Sequence, residues 1–305
     1  MMECLKKIRY ILKGFKIEQI KIECMKKKNI IQKIILFFWY LKRGAIINNF
    51  GSIISPKEMQ VRESIKFQNR ISDLKELIRP EPIIKTELKK YGSRLDGGYV
   101  LPKSVVKTSN FLISGGIADN NDFEIELARG GIKGIQIDNS IYSPPKLHKN
   151  LQFLHATLGS PSGPNLEQIA GEFEENWLGI LKLDIEGSEY EVLRRIKNFS
   201  KFSAIVVEFH GLYQITNEEF WENFKKIFLH LRKDYSVVYI APNNCCSFSI
   251  IGGFAVPNVL EITWAKRKLI AGKKSKNYGG THPNKLAPNI SQKAQLDIST
   301  FFPEN

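Results

Sequence analysis

The chain has 305 residues, of which 43% are hydrophobic and 25% charged, a balance ordinary for a globular protein that buries a real core. The formal net charge is +14, but residues 1–45 alone carry +9. The basicity thus sits on an N-terminal extension, which argues against a specific nucleic-acid partner for the folded body, and four cysteines without CxxC spacing argue against a zinc ribbon or a disulfide scaffold.

In the extension, Leu5, Ile8, Leu12 and Phe15 recur at helical spacing with lysines between them. This predicts a basic amphipathic helical extension over 1–50. It either lies on an anionic membrane surface or packs on the body or a second copy. Phe37, Phe38, Trp39 and Tyr40 beside Lys42 and Arg43 favour the membrane. The apolar run 29–41 contains Lys33 and falls short of the roughly 20 residues of a spanning helix. It also lacks a good cleavage site, so it is not read as a signal peptide. The reading is a cytoplasmic protein, peripheral at the inner face of the membrane.

Residues 51–82 read as a helix and linker. Ser55, Pro56 and Glu58 are start signals, and Pro80 and Pro82 stop the helix after about Ile78. A main domain follows over 83–268, then an extended polar tail over 269–305. Within the domain, apolar runs at 109–114, 133–138, 151–158, 179–184, 203–209, 235–240 and 259–264 predict seven strands. Helices are expected between them. One is capped by Asn121 with Glu124 three residues on, one by Ser188, and a long one opens at Thr216 with Glu219 and runs to about Lys233. Alternating strands and helices imply an α/β fold with a mostly parallel sheet covered on both faces. No helical pattern separates the last two strands, so the seventh should return antiparallel.

In such a sheet, ligands bind beyond the carboxyl ends of the strands. The first strand ends in Ser114-Gly115-Gly116, where glycines let the backbone approach a ligand, or merely make a tight turn. The second ends at Asp138, about 20 residues later, a position suited to the two hydroxyls of a ribose or to capping a turn. GxGxxG is missing, which disfavours NAD and favours a nucleoside without phosphates such as S-adenosylmethionine. The fourth strand ends in Asp184-Ile185-Glu186-Gly187. These two carboxylates can hold an ammonium, orient a hydroxyl, act as base or bind a divalent metal; they can also simply satisfy a helix start. The fifth ends at His210, a general base or a histidine tied to loop backbone.

LKLDIEGSEYEVL (182–193 with Leu181) closely resembles the motif of FkbM-type methyltransferases. YGSRLDGGYVLP, ISGGIADNNDFEIELARGGIKGIQID and VVEFHGL extend the resemblance over about 88–266. It implies a seven-strand Rossmann-like methyltransferase sheet using S-adenosylmethionine, often on hydroxyls of sugars or secondary metabolites. It implies cofactor contacts at Gly115, Gly116 and Asp138 and a reaction cleft at Asp184 and Glu186; the strand-end reading adds Ser114 to the cofactor loop and His210 to the catalytic candidates. The family's first loop is nearer Asp-x-Gly-Ala-Asn; here Ser114 stands first and the loop is Gly-Gly-Ile-Ala-Asp. The expected reaction is O-methylation of a small-molecule or glycan acceptor. Two rivals stand beside it: a metal-dependent glycosyltransferase using Asp184 and Glu186, and a non-catalytic membrane scaffold.

Overall fold

The computed structural model of the chain describes residues 65–81, 86–243, 246 and 248–270. The predicted extension, the Ser55 cap and the tail from residue 271 lie outside them. Among the described residues no helix is long and apolar enough to cross a membrane.

The first described element is α1 (Ile65–Ile78), whose Phe67, Ile71, Leu74 and Ile78 recur every three or four residues and are buried. A hairpin follows, β1 (Leu88–Gly92) against β2 (Gly98–Pro102), then α2 (Lys103–Thr108). The alternating body comprises β3 (Phe111–Gly115), α3 (Asp122–Arg129), β4 (Lys133–Asp138), β5 (Leu151–His155), α4 (Leu166–Gly171), β6 (Gly179–Leu183), α5 (Glu189–Arg195) and β7 (Phe202–His210). A 3-10 turn (Leu212–Thr216) leads into α6 (Glu218–Leu231) and β8 (Tyr235–Pro242). The described residues close with β9 (Phe248–Ile251), β10 (Phe254–Pro257), β11 (Val259–Lys266) and α7 (Arg267–Ile270).

Seven strands form one sheet in the order β5-β4-β3-β6-β7-β11-β8. Pairing is parallel from β5 to β7, and β11 is antiparallel to both β7 and β8. The predicted antiparallel return of the last strand is therefore present, with one detail the sequence did not show: β11 is wedged between β7 and β8. All five residues of β3 and of β6 are buried, as expected for strands covered on both faces. Side chains alternate between two cores. Ile113, Leu181, Ile205 and Val207 join the helices α1, α4, α5 and α6, while Leu112, Ile180, Ala204 and Val206 join α3 and the hairpin. The larger core centres on Trp264, whose ring meets Phe209 at 5.7 Å and Phe228 at 5.2 Å.

Three predicted caps work differently. Asn121 precedes α3, but its amide bonds Gln136 and the Lys146 backbone rather than the helix start. Ser188 precedes α5 without a side-chain cap bond. The long helix is capped by Asn217, which accepts from Phe220 N at 3.0 Å, while the Thr216 hydroxyl turns back to Tyr213 O. Asn217 wins because α6 starts at Glu218, one position later than the Thr216 signal required.

Candidate active site

The strand order reverses between β3 and β6, which makes their carboxyl ends the switch point where open α/β sheets bind ligands. The loop after β3 leans directly on the end of β6. Gly116 has φ +75°, and a Cβ there would lie 1.7 Å from the Asp184 carbonyl oxygen. Protein packing therefore demands this glycine, whatever else the loop holds. Its N–H donates to Ile137 O at 2.9 Å and its carbonyl accepts from Lys182 Nζ. Ser114 is fully buried and its hydroxyl donates to Glu124 at 2.5 Å. Its hydroxyl is thus committed inside the protein.

Asp138 ends β4 beside this loop. Its Oδ2 accepts from Ile117 N at 2.8 Å and Ala118 N at 2.9 Å, and its Oδ1 from Ser140 N at 2.7 Å and Ser140 Oγ at 2.6 Å. Burial alone would raise this carboxyl, but the bonds from Ser140, Ala118 and Ile117 outweigh it and hold it low.

Beyond β6 the chain turns sharply. Glu186 adopts φ +52° and Gly187 φ +105°. A left-handed non-glycine residue costs about 1–3 kcal/mol and persists only where its surroundings fix it. Here Glu189 does so: its Oε1 accepts from Ile185 N at 3.0 Å and Gly187 N at 3.1 Å. The turn leaves the Glu186 side chain 86% exposed. Asp184 divides its two oxygens. Oδ2 accepts from Tyr99 Oη at 2.7 Å and lies 4.0 Å from Lys182 Nζ, whereas Oδ1 faces His210 Nε2 at 3.9 Å.

His210 ends β7, alongside β6. Its Nδ1 pairs with Glu189 Oε1 at 2.9 Å, and its carbonyl accepts from Tyr190 Oη at 2.9 Å. Its Nε2 points among three carboxylates: Glu186 at 3.4 Å, Asp184 at 3.9 Å and Glu208 at 4.0 Å. Burial would lower its pKa, but the Glu189 hydrogen bond and the charges of Glu189, Asp184 and Glu208 outweigh that and raise it. Glu208, buried on the same strand, accepts from Asn243 Nδ2 at 2.6 Å; burial and the Asp184 charge push its carboxyl up. Directly across the antiparallel ladder from Glu208 stands Glu261. Burial pushes Glu261 up to about 7.

The structure thus brings Asp184, Glu186 and His210 together, and sets Gly115, Gly116 and Asp138 on the neighbouring strand ends. Sequence reasoning did not single out Tyr99, Lys182, Glu189, Glu208 or Glu261. A signal existed for three of them. Lys182, Glu208 and Glu261 interrupt otherwise apolar strand runs, where an ionisable group needs a partner. Tyr99 and Glu189 carried no comparable mark.

Residues 102–237 match the Methyltransferase FkbM domain. That segment includes β3 to β7 and holds Asp138, Asp184, Glu186, Glu208 and His210. The resemblance read from LKLDIEGSEYEVL is borne out there: the segment is similar to an FkbM-type methyltransferase domain, a kind that implies S-adenosylmethionine. No curated protein matches the chain. Similar solved structures include the fibrillarin/Nop5p complex, at 12% identity over 59% of this chain and 94% of that one, TM-score 0.34. The 23S rRNA methyltransferase ErmE matches at 9% identity over 67% and 71%, TM-score 0.32. The methyltransferase domain of bacterial CtHen1-CN matches at 12% over 53% and 94%, TM-score 0.32.

Proposed function

We propose that the chain transfers a methyl group from S-adenosylmethionine to a hydroxyl oxygen of a sugar, a glycan precursor or a related small metabolite. One observation carries the reading. Asp184 and Glu186 meet His210 Nε2 at 3.9 and 3.4 Å beside the glycine turn, inside the segment that matches a methyltransferase domain.

The donor set fits such a cofactor. A sulfonium and an ammonium call for carboxylates, and the cleft offers Asp184 and Glu186. Ribose hydroxyls call for an acceptor, and Asp138 stands at the next strand end but one. There the hydroxyls would compete with exposed Ser140 for Oδ1, because Oδ2 is held by the loop amides.

S-adenosylmethionine supplies a methyl group already activated for displacement, so the chain's own residues align the acceptor and take its proton. Bound in this cleft, the cofactor would supply its methyl carbon to the acceptor oxygen and keep the electron pair of the broken C–S bond on its sulfur. The hydroxyl proton passes to a cleft carboxylate. Asp184 Oδ1 suits this role, since Tyr99 and Lys182 steady the other oxygen and leave Oδ1 facing the cleft. His210, with its raised pKa, keeps its proton at neutral pH and steadies both carboxylates. So acidic a centre favours an uncharged hydroxyl over a phosphorylated one. The basic residues 1–45 suit a cytoplasmic enzyme held at an anionic membrane surface, where glycan precursors are assembled.

Calorimetric titration with S-adenosylmethionine tests the reading, with saturable binding as the expected result. A folded protein that binds none at ~1 mM sinks it. Asp184→Asn should slow transfer by about 10²–10⁴-fold while the cofactor still binds.

A further inference from the structure

We infer that Asp184, Glu208 and His210 form a binding site for a divalent cation. One ligand atom from each lies within 4.8 Å of the other two. The separations of His210 Nε2 from Asp184 Oδ1 and Glu208 Oε1, 3.9 and 4.0 Å, are too long for hydrogen bonds. They are close to the spacing of groups that share one ion. Metal–ligand distances of about 2.0–2.2 Å set neighbouring ligands about 3.0–3.5 Å apart, so side-chain shifts on the order of an ångström would close the set.

The imidazole is built for this. Nδ1 is committed to Glu189 Oε1 at 2.9 Å, which directs Nε2 into the cluster. A histidine held through one ring nitrogen by a carboxylate, with the other nitrogen offered to a cation, is the usual arrangement of a metal-bound imidazole. Glu189 is itself immobilised: it is fully buried, and the same oxygen accepts from Ile185 N and Gly187 N. A plain ion-pair centre would need no such oriented nitrogen; it would place Nε2 within hydrogen-bond reach of one carboxylate. None of the three carboxylates approaches closer than 3.4 Å.

Two carboxylates and one imidazole suit a first-row divalent ion such as manganese better than magnesium or calcium, which prefer oxygen alone. The ion takes the place of the Nε2 proton. Three protein ligands leave coordination positions for water or for an acceptor hydroxyl, whose acidity the ion would raise. Only this last role rests on the methyl-transfer reading; the place of the ion does not.

The test is titration of the full chain with Mn²⁺ alone, followed by the paramagnetic resonance of free ion. One Mn²⁺ per chain should bind. Glu208→Gln and His210→Ala should abolish binding, and Glu189→Gln should weaken it by about 10–100-fold. An undiminished free-ion signal at ~1 mM Mn²⁺ would overturn the proposal, as would unchanged binding by Glu208→Gln. Should the variants not fold, anomalous diffraction from Mn²⁺-soaked wild-type crystals decides. A peak between the three side chains supports the site, and a peak elsewhere, or none, refutes it. S-adenosylmethionine titrated into metal-free protein reads the methyl-transfer proposal separately.

Discussion

Glu261 offers the cleanest physical test of the site's electrostatics. It sits 4% exposed on β11, directly across the ladder from Glu208, which is also 4% exposed. Like charges facing each other across a sheet destabilise it, and burial makes ionisation costlier still. Burial, the first cause, together with Asp184 and Asp96 raises this carboxyl to about 7 against the opposing Val100 hydrogen bond and Lys90 charge. Below pH 4.5, its ordinary value, the group is protonated whether the chain is folded or not, so it costs nothing. Between 4.5 and about 7 the unfolded chain ionises first and stability falls; above about 7 the loss is constant. At roughly 1.4 kcal/mol per pKa unit, the penalty reaches about 3 kcal/mol in mild alkali. Glu261→Gln keeps the shape and removes the charge. Urea unfolding of both proteins at about pH 5 and about pH 8.5 would measure it. The variant should match the parent within about 1 kcal/mol at the lower pH and exceed it by about 2–3 kcal/mol at the higher. A difference that does not change with pH, or a variant weaker at pH 8.5, refutes the claim that Glu261 is a buried and strained carboxyl.

Three further substitutions probe other links. Gly116→Ala must push the Asp184 carbonyl away from a Cβ at 1.7 Å and hold alanine at φ +75°; the chain should lose more than about 3 kcal/mol or fail to fold. A stable variant that merely binds cofactor poorly would mean the glycine serves the ligand instead. Tyr99→Phe removes the 2.7 Å hydrogen bond to Asp184, which should cost about 1.5–3 kcal/mol in thermal or urea unfolding. It should also slow turnover more than it weakens cofactor binding. Asn217→Ala deletes the cap on Phe220 N and should cost about 1 kcal/mol in the same unfolding measurement, with no effect on ligand binding.

The fold was largely legible because its strands are buried on both faces and therefore read as continuous apolar runs. The runs at 133–138 and 235–240 correspond closely to β4 and β8. Two hairpins were not legible. β1 and β2 carry LKKYG and GYVLP, with no clean alternation. β9 and β10 occupy a segment whose Asn, Ser, Gly and Pro content signals loop. At the site, strand ends located Asp138, Asp184 and His210, because topology alone brings those ends to one side. Lateral contacts were hidden. Tyr99 reaches Asp184 across 85 positions, and Glu261 faces Glu208 only because β11 enters the sheet between two earlier strands. No local pattern encodes that insertion. The glycine turn was located by sequence, but its cause was not: a carbonyl oxygen of the chain stands where a side chain would be.

The insertion of β11 also has a consequence for synthesis. Until residues 259–266 have left the ribosome, β7 is an edge: nine residues, eight of them buried in the finished fold, with one row of backbone groups lacking its final partner. Such an edge invites pairing with other chains. β11, the last strand among the described residues, therefore covers that edge and installs Glu261 in one step, so a nascent chain cannot present the finished acidic centre before the β7 edge is paired.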